Sequence, residues 1–160
     1  MAEAYIVDAV RTPVGRRGGS LSTVHPADLG AASIRALLDR TGIDPGAVDD
    51  VIFGNVDSVG GQAGDIARTC WLVAGGPEHV PGTTVDRQCG SAQQAVHFAA
   101  QAVMAGVNDL VVAGKIISAD GQVIAVSKPK GEGDQLRYIR EYPLGSLFGN
   151  PVGYSYISQG

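Results

Sequence analysis

The sequence predicts an α/β fold: a mostly parallel sheet with helices on both faces, followed by a C-terminal β-hairpin and a loop-rich tail. Three observations lead there. Short β-branched runs alternate along the chain with stretches whose apolar residues recur at helical spacing, the order that builds parallel βαβ units. The helical stretches stop at Gly42, Gly75 and Gly106, and glycine is the residue that most readily ends a helix. Finally, 44% of the 160 residues are hydrophobic, enough to build a core within one domain.

Taken in order, Ala4 to Val10 reads as a first, buried strand. Pro26 to Thr41 puts Ile34, Leu37, Leu38 and Thr41 on one helical face, with Pro26 suited to the first turn and Gly42 to the stop. Val51 to Val56 is the second strand, and Asp65 to Ala74 is a second helix closed by Gly75, Gly76 and Pro77. Pro81 to Val85 makes a short strand. The helix after it carries Ala92, Ala95, Val96, Ala99, Ala102 and Val103 at helical spacing, and Asp109 to Ala113 is the next strand. Lys115 to Ser127 forms two strand-like runs about Asp120-Gly121, a strong short-range hairpin signal. Its return run, Gln122 to Val126, would cover the open side of the sheet, since uncovered edges aggregate. Aromatic, loop-rich sequence follows from Arg137 to Ser155.

Composition narrows the function. The net charge of −4 is spread along the chain, so no basic stripe invites nucleic acid or an anionic membrane. No apolar run approaches the roughly 18 residues of a membrane span, and the start lacks the basic region of a leader, so a soluble, cytoplasmic protein is expected. Cys70 and Cys89 lie in separate motifs without metal-type spacing, which fits a reducing compartment. Three scattered histidines make a zinc site improbable. No Gly-x-Gly-x-x-Gly run lies between a strand and a helix, so a dinucleotide fold is disfavoured and no permanently bound cofactor is expected.

The chemistry concentrates at Cys89, at the seam between the Thr83 to Val85 strand and the alanine-rich helix. Strand ends of a parallel sheet collect reactive groups. At a helix N-terminus, unpaired N–H groups and the positive end of the dipole favour thiolate over thiol, and a thiolate attacks activated carbonyls.

Val85 to Val96, containing Gln88-Cys89-Gly90-Ser91, resembles the nucleophile loop of the thiolases, the acetyl-CoA acetyltransferases and 3-ketoacyl-CoA thiolases. Further likenesses are Val10 to Gly15 with Gly19-Ser20-Leu21, then Gly61-Gln62 with Ile66-Ala67-Arg68, and Asp109 to Gly114. Together they span residues 4–114 in the family's order. Gln93-Gln94 leans toward the lipid-degrading and sterol-linked members, while Ala92 stands where many relatives carry glycine. The resemblance implies that Cys89 takes an acyl group from acyl-CoA as a thioester and passes it to CoA or to acetyl-CoA. It also implies a homodimer through the Thr83 to Val85 strand. The family's other groups, a Gly-His-Pro histidine, a Cys-x-Gly cysteine and an Asn-Glu-Ala-Phe asparagine, have no counterpart in these 160 residues. At most a covalent adduct on Cys89 is therefore expected from the chain by itself.

Residues 115–160 resemble instead a segment of class B penicillin-binding proteins, on the Asp-Gly hairpin, Tyr142-Pro143 and Gly153-Tyr154-Ser155. Two domains follow, 1–114 and 115–160, the second of different origin. The alternative function is thus a non-catalytic interaction module, or an inactive chimeric fragment.

The remaining candidates have plainer readings. His25 opens the first helix, and the preceding Val24 removes it from a Gly-His-Pro motif; His79 belongs to an exposed loop. His97 lies two helical turns from Cys89, too far for a hydrogen bond, and is read as core or interface. Cys70 reads as helix packing. Arg68 is balanced between a subunit contact and a solvated helix charge.

Overall fold

The computed structural model describes residues 3–115, 126–130 and 137–141, which fall in two compact units, Met1–Asp120 and Gly121–Gly160. In the first unit the central strand is β1 (Asp50–Gly54). It pairs in parallel with β2 (Gly82–Val85) on one edge and β3 (Val111–Lys115) on the other, placing Ile52 opposite Thr83 and Ala113. Strand side chains alternate between faces. Val51 and Phe53 join a core with Ile34 of α1 (Pro26–Thr41) and Ile66, Ala67, Cys70 and Trp71 of α2 (Ile66–Ala74). Ile52 points the other way, onto Ala95 and Ala99 of α3 (Ser91–Met104), with Val85, Val111 and Ala113 alongside. Helices on both faces of a parallel sheet are what the pattern predicts.

Local chemistry sets the helix ends. His25 caps α1, its Nδ1 accepting from the Ala27 N–H at 3.2 Å, and Gly42 closes it in a left-handed conformation while donating to the Leu38 carbonyl at 2.8 Å. Asp65 caps α2, its Oδ1 accepting from the Arg68 N–H at 3.3 Å. The helix ends against its own tryptophan: Trp71 is fully buried, its Nε1 donates to the Pro77 carbonyl at 3.0 Å, and Gly76 packs against the ring where a Cβ would not fit.

Three departures from the sequence reading exceed a shift of one residue at an element's end and have a visible cause. Residues 4–10 form no strand, and Ile6 and Val7 are 75% and 70% exposed. Both edges of β1 are already taken, and the segment pairs with neither β2 nor β3. A strand exists only through pairing, so apolar alternation alone cannot make one. Within this segment Asp8 forms an ion pair with Arg40 of α1 at 3.0 Å. Secondly, β3 begins at Val111 rather than Asp109, because the Asp109 and Leu110 N–H groups donate to the Asp49 carboxylate at 2.7 and 3.0 Å. Those two bonds hold the Asp49 carboxyl below its ordinary range, Leu110 contributing most. Thirdly, β1 ends at Gly54, where Asn55 turns its side chain to the Ser58 hydroxyl and the Gln62 carbonyl, both at 3.1 Å.

The second unit contains β4 (Val126–Lys130) and β5 (Arg137–Glu141), paired antiparallel with Lys128 opposite Ile139. The Asp120-Gly121 turn and the return run from Gln122 lie outside the described residues, Val126 excepted. Among the described residues no helix is long and apolar enough to cross a membrane.

Candidate active site

At the carboxyl end of β2 the chain passes through Asp86–Gly90 into α3, and Cys89 lies in this turn, exposed. The turn is tight. Gly90 N–H donates to the Arg87 carbonyl at 3.0 Å, and Gln88 between them has φ 51°, a left-handed conformation that is unusual without glycine. Such a residue costs on the order of 1–3 kcal/mol and persists where its surroundings enforce it.

The enforcing contacts come from the helix that follows. Ser91, 2% exposed, accepts through Oγ from the Arg87 N–H at 2.8 Å and donates to the Gln88 carbonyl at 2.6 Å. Its own N–H donates to the same carbonyl at 3.1 Å. Hydrogen bonds of this kind contribute roughly 0.5–1.5 kcal/mol each, so the set is comparable to the backbone cost. Asp86 adds an acceptor for the Gln88 N–H at 3.0 Å, and the Arg87 guanidinium reaches Gln94 Oε1.

These bonds leave one donor over. The N–H groups of Arg87, Gln88, Gly90 and Ser91 each have an acceptor, while among the described residues that of Cys89 has none. Nor does the Cys89 sulfur have a hydrogen-bond partner there. The start of α3, with Gly90 at its N-cap, carries no side-chain cap. A nucleophilic atom, a free backbone donor on the same residue and a positive helix end thus meet at one exposed point.

The sheet fixes where this point sits. Gly54 ends β1 directly beneath the first turn of α3: a Cβ added there would lie 2.6 Å from Ala92 Cα. Beside it the Asn55 N–H donates to the Val85 carbonyl at 3.0 Å, tying the loop after β1 to the end of β2. Thr84 of β2 is held from the opposite face, donating to Asp65 Oδ1 at 2.7 Å and accepting from the Ala67 N–H at 3.1 Å.

The other sequence candidates lie elsewhere. His25 is the α1 cap and packs against Gly61, while His79 and His97 are exposed. The core alternative for His97 is therefore excluded in this chain. Cys70 is fully buried, and burial pushes its thiol up to about 12, the opposite of an activated sulfur. Arg68 is half-buried, and its guanidinium donates to the Val80 and Glu78 carbonyls, holding the loop leading into β2. Sequence reasoning missed Ser91, Gly54 and the left-handed Gln88. The available signals were a glycine closing an apolar run and a serine two residues past the cysteine.

Comparison with known proteins agrees with this geometry. Residues 4–116 match the thiolase N-terminal domain family, and residues 113–160 match the penicillin binding protein A dimerisation domain. The chain is similar to the steroid 3-ketoacyl-CoA thiolase FadA6 of Mycobacterium tuberculosis, at 66% identity over 72% of this chain and 28% of that protein. It is 39% identical to the 3-oxoadipyl-CoA/3-oxo-5,6-dehydrosuberyl-CoA thiolase of Escherichia coli, over 95% of this chain and 38% of that protein. The crystal structure of the Bacillus anthracis acetyl-CoA acetyltransferase superposes with a TM-score of 0.70 at 34% identity, covering 90% of this chain and 36% of that one. The chain spans about a third of the length of the curated relatives it matches.

Proposed function

Because the chain belongs to the thiolase family through the N-terminal domain matched over residues 4–116, we propose that Cys89 is the nucleophile of an acyl-CoA acyltransferase. The Cys89 sulfur, its proton lost to solvent, attacks the carbonyl carbon of an acyl-CoA. The new carbon–sulfur bond forms as the bond to CoA breaks, and CoA leaves as a thiolate that takes a proton from water. Onward transfer, in which a CoA sulfur bonds that carbon as the bond to Cys89 breaks, or acetyl-CoA does so after losing an α-proton to a base, belongs to a complete thiolase. The observation that carries this reading is the exposed Cys89 with its own N–H unpaired at the start of α3, placed to meet the oxyanion of the attacked carbonyl. A catalytic base and a second cysteine have no motif in these 160 residues, so the reaction of this chain is a single acylation.

Incubation with acetyl-CoA tests it. One acetyl group on the Cys89 peptide, absent from C89A, is the expected result; no adduct, or an equal adduct on C89A, overturns it. Steady CoA release would overturn the limit to one turnover.

The partner in this reading is a second copy of the chain. Among the described residues β2 is paired on one edge alone, and Thr83 to Val85 offers the other edge to its symmetry mate. A concentration-dependent dimer lost in T83P would support this arrangement, and a monomer at all concentrations would reject it. Two free thiols and an acyl-CoA substrate favour the cytoplasm.

A second reading attaches to the C-terminal segment. Residues 115–160 are a module of separate origin, joined near Gly114 and Lys115 where the two family matches meet, and they serve self-association rather than catalysis. Should Cys89 alkylate no faster than Cys70, this reading replaces the first.

A further inference from the structure

Resting on the reading of Cys89 as nucleophile, we infer that Ser91 is a positioning residue for acyl transfer, acting through the left-handed Gln88 to hold Cys89 and its free N–H toward one reacting carbonyl. A serine that merely starts a helix occupies the N-cap and accepts from N–H groups ahead of it. Ser91 does the reverse. It lies inside α3, is 2% exposed, and reaches back across Gln88, accepting from the Arg87 N–H at 2.8 Å and donating to the Gln88 carbonyl, in the peptide that carries the Cys89 N–H, at 2.6 Å.

The bond to the Gln88 carbonyl holds the peptide that follows Gln88, the bond from the Arg87 N–H holds the peptide that precedes Arg87, and Gln88 is kept between them at φ 51°. Released from them, Gln88 returns to negative φ, as a residue with a Cβ prefers. The peptide that carries the Cys89 N–H then rotates. Sulfur and donor would no longer address the same carbonyl, although the thiol stays exposed. Attack and oxyanion binding need both groups aligned at once, whereas alkylation by a small halide needs the sulfur alone. Ser91 therefore governs the ratio of the two reactions rather than access to the thiol.

The experiment measures, on the full 160-residue chain, Cys89 acetylation by acetyl-CoA and Cys89 alkylation by iodoacetamide across neutral to alkaline pH, with thermal melting alongside. In S91A acetylation is expected to fall about tenfold or more relative to alkylation, and S91T, which keeps the hydroxyl, restores the ratio. Q88V provides a second variant at an exposed position, where a β-branched residue resists the left-handed conformation without removing a buried group. It should lower the same ratio. An unchanged ratio in S91A or in Q88V overturns the inference, as does an equal fall in both reactions with a matching loss of melting temperature. Absence of any wild-type acetyl adduct overturns the nucleophile reading and this inference with it; a wild-type adduct indifferent to S91A overturns this inference alone.

Discussion

Gly54 at the end of β1 and Ala92 in the first turn of α3 are in backbone contact, with room for no side chain between them: a Cβ on Gly54 would stand 2.6 Å from Ala92 Cα and closer still to its amide nitrogen. This contact seats the helix whose first turn follows Cys89. The strand that fixes the nucleophile's height is thus one that the cysteine itself does not belong to.

A methyl group at this position has nowhere to go, because the opposing atoms are backbone on both sides. G54A is expected to cost about 1–3 kcal/mol, read as a lowered melting temperature. Acetylation of Cys89 should decline with it, since α3 must lift to admit the methyl. Wild-type melting in G54A would contradict the contact.

The two thiols should differ sharply toward iodoacetamide at neutral pH. Cys70 is buried and its thiol is pushed up to about 12, so it remains protonated and enclosed. Cys89 is exposed. Peptide mapping should find the label on Cys89 while the chain is folded, and on both residues only after denaturant is added. Early labelling of Cys70 would contradict the packing of α2.

Trp71 fills the space between α2 and the loop that follows it, donating to the Pro77 carbonyl. W71A removes a fully buried ring and is expected to cost about 3–5 kcal/mol. G76A forces a methyl to within 2.5 Å of the indole Nε1 and should destabilise as well. Denaturant titration of both variants checks the prediction.

Asp49 makes stability depend on pH. Its carboxyl is held below the ordinary range by the Leu110 and Asp109 N–H groups, so it binds a proton less readily folded than unfolded. Its contribution is present above the unfolded value and is lost as pH falls through the lowered folded value. D49N should therefore flatten the acid side of the stability curve. If wild type and D49N lose stability in parallel on acidification, the carboxylate clamp is not the cause.

Ile6 and Val7 are exposed outside any strand. I6K should change stability by no more than about 0.5 kcal/mol while reducing self-association at high concentration, as light scattering would show. A large loss of stability would mean that the segment is packed after all.

Much of the fold was legible in local chemistry. Pro26 and Gly42 bracket α1 because one fits a first turn and the other a left-handed stop, and both requirements are satisfied within a few residues of chain. The period of Ala95 and Ala99 on α3 likewise announces its buried face, and the unbroken apolar run Val51, Ile52 and Phe53 announces that β1 is buried on both faces. Cys89 at the strand-to-helix seam was legible for the same reason.

Tertiary structure decided what depends on partners far along the chain. Residues 4–10 have the alternation of a strand yet pair with none of β1, β2 and β3, and Asp49 shortens β3 from a position 60 residues away. The geometry around Cys89 belongs to this second class: Gly54 sets the seat of α3 from another strand, and Ser91 holds Gln88 in a conformation its own side chain disfavours. Periodicity and caps record the preferences of neighbouring residues, so they fix elements and their faces. Edge pairing, close backbone approach and enforced left-handed turns arise only when those elements meet, and that is where the position of the sulfur was set.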